Sequence, residues 1–130
     1  LSGELRPAMV DALQRIAADY KTACLTNNVR NTGEGPGMVR GEERAAAVQA
    51  VFATFDAVIE SSVVGIRKPN PDFYLLACRT LGVEPSEAIF LDDLGINLKP
   101  ARALGMTTIK VLSEDQALDD LGALLGMALR

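Results

Sequence analysis

The spacing of apolar residues changes repeatedly along this chain, and each change marks a new element. Pro7 suits the first turn of a helix, and Met9, Leu13, Ile16 or Ala17, and Tyr20 recur at i, i+3/i+4, i+7. This predicts a helix from about Pro7 to Ala18 with one buried face. Thr22-Ala23-Cys24-Leu25 is an apolar run too short for a helix and suited to a buried parallel strand, ending at Thr26-Asn27. Asn28 to Arg40 holds Gly33, Gly35, Pro36 and Gly37 and predicts a loop. Helical spacing returns from Gly41 to Phe55, with Val48, Val51, Phe52 and Phe55 as its stripe, and Ala57-Val58-Ile59-Glu60 reads as a strand.

The second half repeats the alternation. Asn70 is a good N-cap, Pro71 fits the first helical position and Asp72 favours the positive end of the dipole, so a helix starts there and stops near Gly82. Ala88 to Leu91 is the next strand, followed by a helix to about Leu104 with Gly105 as its C-cap and a strand over Thr107-Thr108-Ile109-Lys110-Val111. Ser113-Glu114-Asp115-Gln116 has the form of a capping box and opens a last helix carrying Leu118, Leu121, Leu125 and Leu129. Strands alternating with helices imply parallel pairing and right-handed crossovers. The expected class is α/β, a Rossmann-like three-layer sandwich around a parallel sheet.

Composition narrows the picture. The 130 residues fit one domain, and 48% hydrophobic against 23% charged residues is the balance of an ordinary globular protein. The net charge of −4, with basic residues scattered, makes nucleic acid a poor partner. No apolar run approaches the roughly 20 residues that cross a bilayer, and no basic-then-hydrophobic leader opens the chain, so no membrane is expected and a cytoplasmic location is the default. The chain begins at Leu1 rather than methionine, which reads as a processed or truncated polypeptide. Cys24 and Cys78 read as reduced packing residues. Histidine is absent, so neither Ser-His-Asp or Cys-His catalysis nor His-ligated zinc can be built from this chain alone, and carboxylate chemistry remains.

Three segments carry that chemistry. Asp92 and Asp93 follow an apolar strand directly, at the carboxyl edge where open α/β sheets bind ligands. Strand-end carboxylates are ordinary magnesium ligands, although the pair also suits the N-cap of the next helix. Thr26 and Asn27 end another strand and offer a hydroxyl and an amide, or simply a turn. Lys68 is held toward extended geometry by Pro69 and offers a cation that binds phosphate or pairs with a carboxylate, while Arg67 reads as an exposed neighbour. Asn97, one helical turn beyond the aspartates, would supply an oxygen or anchor the site.

The order Leu-Thr-Asn-Asn, Gly-Ile-Arg-Lys-Pro-Asn-Pro-Asp-Phe-Tyr and Ile-Phe-Leu-Asp-Asp-Leu-Gly-Ile-Asn-Leu-Lys-Pro-Ala-Arg-Ala-Leu-Gly-Met resembles the haloacid dehalogenase superfamily. Within it, the sequence resembles the phosphatase-like domain at the amino end of soluble epoxide hydrolases and related acyl-CoA-dehydrogenase-fused proteins. The resemblance runs from about Arg6 to the last helix. It implies that Thr26, Asn27 and Lys68 hold a transferring phosphoryl group, that Asp93 binds Mg²⁺, that Asp92 holds Lys68 or a metal-bound water, and that Asn97 supports the loop. A small phosphorylated substrate follows.

The family's Asp-x-Asp-x-Thr/Val motif, whose first aspartate is the nucleophile, has no counterpart here, and its cap domain is absent. Residues 1–130 then correspond to the carboxy-terminal portion of the core domain, with the central strand of the sheet, between those ending at Thr26 and Asp92, missing. An upstream segment or a partner chain is expected to complete the sheet, and this chain alone is expected to be inactive. A non-catalytic phosphate- or metal-binding module and a dehalogenase are the alternatives. A phosphorelay receiver domain fits worse, because its acidic pair precedes the threonine and lysine.

Overall fold

The computed structural model describes residues 7–27 and 53–130. Its elements are α1 (Pro7–Ala17), β1 (Ala23–Thr26), β2 (Ala57–Glu60), α2 (Ser61–Val64), α3 (Pro71–Leu81), a 3₁₀ turn (Pro85–Glu87), β3 (Ile89–Asp92), α4 (Gly95–Ala103), β4 (Thr107–Lys110) and α5 (Glu114–Leu125). β1 pairs in parallel with β2, from Ala23 opposite Ala57 to Thr26 opposite Glu60. β3 pairs in parallel with β4, from Ile89 opposite Thr107 to Asp92 opposite Lys110. The class is α/β with parallel strands. Among the described residues the sheet is fragmentary, two two-stranded pairs that share no ladder.

The period of two in a strand sends alternate side chains to opposite faces, and β3 uses both. Ile89 and Leu91 pack on a cluster formed by Ala12 and Ile16 of α1, Ile109 of β4, Leu118 and Leu121 of α5, and Leu129. Ala88 and Phe90 pack on the other side against Tyr74 and Cys78 of α3, Ala101 of α4, and Met106. Helices therefore cover both faces of the β3–β4 pair.

α3 joins the two strand pairs because it carries two neighbouring apolar ridges. Tyr74 and Cys78, four residues apart, face the β3–β4 side. Phe73 and Ala77, also four apart, pack with Ile59 of β2, and Leu25 of β1 touches both groups. Phe73 and Tyr74 are both wholly buried. The helix begins as its sequence requires: Asn70 accepts a hydrogen bond from the Asp72 amide at 3.0 Å, with Pro71 in the first helical position. Gly82 ends it at φ +70°, a left-handed conformation that disfavours a Cβ. Ser113 and Gln116 form the expected capping box at the start of α5.

Some boundaries differ from the periodicity. Tyr20 lies beyond α1 and is exposed, because the chain turns after Ala17, where the Tyr20 amide bonds back to the Ile16 carbonyl. Phe55 lies in the turn before β2 rather than in a helix. That turn is tied to the start of β1, with the Thr22 amide donating to the Asp56 carboxylate at 2.7 Å and the Thr22 carbonyl accepting from Asp56 and Ala57. The rest of the expected helix, 41–52, and the expected loop, 28–40, lie outside the described residues. Leu104 rather than Gly105 caps α4, Val111 falls just past β4, and Leu129 follows the left-handed Gly126 yet returns to the core. The short α2 and the 3₁₀ turn are too brief to leave a periodic signal. No described helix is long and apolar enough to cross a membrane.

Candidate functional site

Parallel pairing puts the carboxyl ends of paired strands at one edge. β3 ends there on Asp92, β1 on Thr26 with Asn27 following, and the segment from β2 to α3 brings Lys68. The centre of the arrangement is an ion pair: the Lys68 ammonium donates to Asp92 Oδ2 at 2.9 Å, with side chains only 12% and 6% exposed. The same oxygen accepts from Asn97 Nδ2 at 3.2 Å, and Oδ1 accepts from the Leu94 amide at 2.9 Å. Lys68 also lies 5.8 Å from the centre of the Phe90 ring.

Burial pushes the Asp92 carboxyl up, but the hydrogen bond from Lys68, the Leu94 amide and the lysine's charge outweigh it, holding Asp92 below its ordinary 3.8. This carboxylate stays ionised at neutral pH, and the paired charge is what makes its burial tolerable.

Two further residues brace the pair. Asn97, buried near the start of α4, is itself held through its backbone, since the Tyr74 hydroxyl donates to the Asn97 carbonyl at 2.6 Å. Tyr74 is pushed up to about 12 by its burial and by the Asp92 charge, so its hydroxyl keeps its proton. On the other side, Asn27 meets the backbone of Lys68 twice: Nδ2 donates to the Lys68 carbonyl at 3.0 Å and Oδ1 accepts from the Lys68 amide at 2.8 Å.

Of the residues singled out in the sequence, Lys68, Asp92, Asn97 and Asn27 thus form one connected polar chain. Thr26 is half-buried at the end of β1, opposite Glu60. Asp93 is exposed beside Asp92. Tyr74 was hidden in the sequence, because a tyrosine in an apolar helical stripe reads as core. The Leu94 amide leaves no side-chain signal at all.

The donor chemistry suits a magnesium ion in part. Both Asp92 oxygens accept N–H bonds, and Asp93 beside it is exposed to solvent. Mg²⁺ commonly takes only one or two protein carboxylates, the rest being water and substrate oxygens. No group of three His, Cys, Asp or Glu side chains suited to a metal occurs among the described residues.

Comparison with known proteins gives the class. The family model for haloacid dehalogenase-like hydrolases matches residues 1–105, and the chain belongs to this family. It is 49% identical over 121 residues to bifunctional epoxide hydrolase 2 of Rattus norvegicus, covering 93% of this chain and 21% of that protein. It is 42% identical over 124 residues to acyl-CoA dehydrogenase family member 10 of Mus musculus, covering 95% of this chain and 11% of that protein. The chain thus spans a tenth to a fifth of these relatives. Its fold matches an enzyme of the same family from Bacteroides thetaiotaomicron, solved with magnesium and inorganic phosphate, at a TM-score of 0.64 and 21% identity, covering 82% of this chain and 52% of that one.

Proposed function

We propose that this chain is the carboxy-terminal portion of a magnesium-dependent phosphatase core that hydrolyses a small phosphorylated substrate through an aspartyl-phosphate. The observation that carries this reading is the buried Lys68–Asp92 pair at the strand edge where Thr26 ends β1. Phosphoryl transfer depends mainly on positioning and on neutralising charge. Lys68 faces the phosphoryl oxygens and the nucleophile with its positive charge, Thr26 donates its hydroxyl, Asp92 orients Lys68, and Asn97 orients Asp92. A magnesium ion held by Asp93 and water would neutralise further phosphate charge when bound. In support of magnesium and phosphate as the ligand classes, the Bacteroides enzyme with a similar fold was solved with magnesium and inorganic phosphate.

The chain carries no strand-end Asp-x-Asp motif. We assign the nucleophile to another segment, upstream or on a partner chain, seated between β1 and β3. In support, these strands pair outward with β2 and β4 and not with each other.

The test is turnover of p-nitrophenyl phosphate with Mg²⁺. The 130-residue chain alone is expected to be silent. Adding or fusing an apolar strand that ends in Asp-x-Asp-x-Thr/Val should restore hydrolysis, and Lys68→Met should remove it again. Turnover by the purified chain alone would refute the nucleophile's assignment. Phosphate binding without turnover in the completed protein would replace the phosphatase by a binding module.

A further inference from the structure

We infer that Asn27 is a positioning residue, which acts through Lys68 by fixing the lysine's backbone. This rests on the phosphate reading above only in what Lys68 is positioned for. The side-chain amide of asparagine has the same carbonyl and N–H groups as a peptide unit. Asn27 uses them as a strand would: it gives an N–H to the Lys68 carbonyl at 3.0 Å and takes the Lys68 N–H at 2.8 Å. Two such bonds to one residue reproduce a rung of an antiparallel ladder.

The end of β1 explains why a side chain makes this rung. β1 ends at Thr26, where its parallel ladder with β2 also ends, so no backbone ladder ties the segment around Lys68 to it. Asn27, the first residue after the strand, reaches that segment with a single side-chain rung. Lys68 is then fixed at both ends, its main chain on Asn27 and its ammonium on Asp92 Oδ2 at 2.9 Å. Lysine loses more rotamer freedom on ordering than nearly any other residue. A backbone already fixed removes part of that cost and sets the direction from which the ammonium arrives. Misplacing a charge-stabilising group by about 1 Å costs on the order of a hundredfold in rate, which gives such a clamp a functional consequence.

The inference differs from a direct role for the Asn27 amide on phosphate, and the two separate in protein free of phosphate. The ¹⁵N resonance of the Lys68 ammonium, assigned by its loss in Lys68→Arg, reports the lysine directly in the full chain. In Asn27→Ala we expect it to move to the position of exposed lysines, with exchange against water faster by about tenfold, the size that one to two net hydrogen bonds set. Asn27→Asp, of the same shape, keeps the acceptor for the Lys68 N–H but turns a carboxylate oxygen on the Lys68 carbonyl, and should release the lysine too. It is also the reserve variant should Asn27→Ala not fold. Inorganic phosphate titrated into the same samples should bind about tenfold more weakly to Asn27→Ala.

A Lys68 resonance unmoved in both variants would overturn the inference, and weaker phosphate binding alongside it would assign the amide to the ligand instead. Wild-type protein that binds no phosphate while Asn27→Ala still frees Lys68 would sink the phosphate reading and leave the clamp standing.

Discussion

The inner strands β1 and β3 are the more apolar, yet the outer strands β2 and β4 hold the buried isoleucines. Ile59 of β2 and Ile109 of β4 are 5% and 6% exposed, whereas Leu25, Ile89, Phe90 and Leu91 on the inner strands are only half-buried. A finished parallel sheet covers its central strands on both faces and flanks them on both edges, yet no apolar side chain of β1 or β3 reaches the burial of Ile59 or Ile109. Inner strands written for deeper burial than they reach are what one expects if a further strand belongs between them. An unpaired edge is also a ready template for pairing, and among the described residues β1 and β3 each pair on one side only. The inner strand ends nonetheless meet through side chains, since Asn27 after β1 holds Lys68 and Lys68 holds Asp92 at the end of β3.

The largest effect should come from breaking that bridge. Lys68→Ala leaves Asp92 buried without its cation, and removing one partner of a buried pair costs about 3–5 kcal/mol. Chemical denaturation should show this loss, and the double variant Lys68→Met/Asp92→Asn, which leaves no uncompensated charge, should lose less. A smaller loss in Lys68→Ala than in the double variant would break the comparison. Acid acts on the same pair. Because Asp92 is held below its ordinary 3.8 in the fold, its contribution is present above that value and disappears as pH falls through its lowered one. Stability should therefore fall on acidification below about pH 4, and less steeply in Lys68→Ala, measured by denaturant midpoint against pH.

The contrast between inner and outer strands can be measured by truncation. Ile109→Ala removes a buried side chain and should cost about 3 kcal/mol. Leu25→Ala, on a half-buried inner strand, should cost roughly 1–2 kcal/mol in this chain alone. Once the proposed central strand is supplied, the Leu25→Ala cost should rise toward that of Ile109→Ala. Equal costs in the chain alone would show that the inner strands are as well packed as the outer ones.

Most of the frame was legible because local signals and tertiary packing agree. Asn70-Pro71-Asp72 caps α3 as its chemistry dictates, Ala57–Glu60 is the strand its composition suggests, and Ser113 with Gln116 forms its box. Periodicity overran where tertiary bonds took over, at Phe55, where Asp56 is tied to Thr22, and at Tyr20, where the helix had already closed. The segments that meet at the strands' carboxyl edge were legible too, since polar residues at the ends of apolar strands stand out in the sequence. Their joining was not. Lys68 and Asp92 are 24 residues apart, and Asn27 and Lys68 are 41 apart. Nothing local says that an asparagine suited to a turn will instead pair with a distant backbone.

Tyr74 is the smallest and sharpest case, because its ring and its hydroxyl serve different ends. The ring is wholly buried and meets Phe90 edge-on at 5.1 Å, which is packing. The hydroxyl donates a hydrogen bond to the Asn97 carbonyl at 2.6 Å, and the Asn97 side chain in turn donates to Asp92. Tyr74→Phe keeps the first and removes only the second, so stability should fall by about 1 kcal/mol, the net worth of one buried hydrogen bond. If the hydroxyl also orients Asn97, the Asn97 side-chain amide protons should exchange faster in Tyr74→Phe while those of Asn27, on the far side of Lys68, do not change. Unchanged Asn97 exchange would leave the Tyr74 hydroxyl as a tie on the Asn97 backbone alone, with no part in orienting the side chain that meets Asp92.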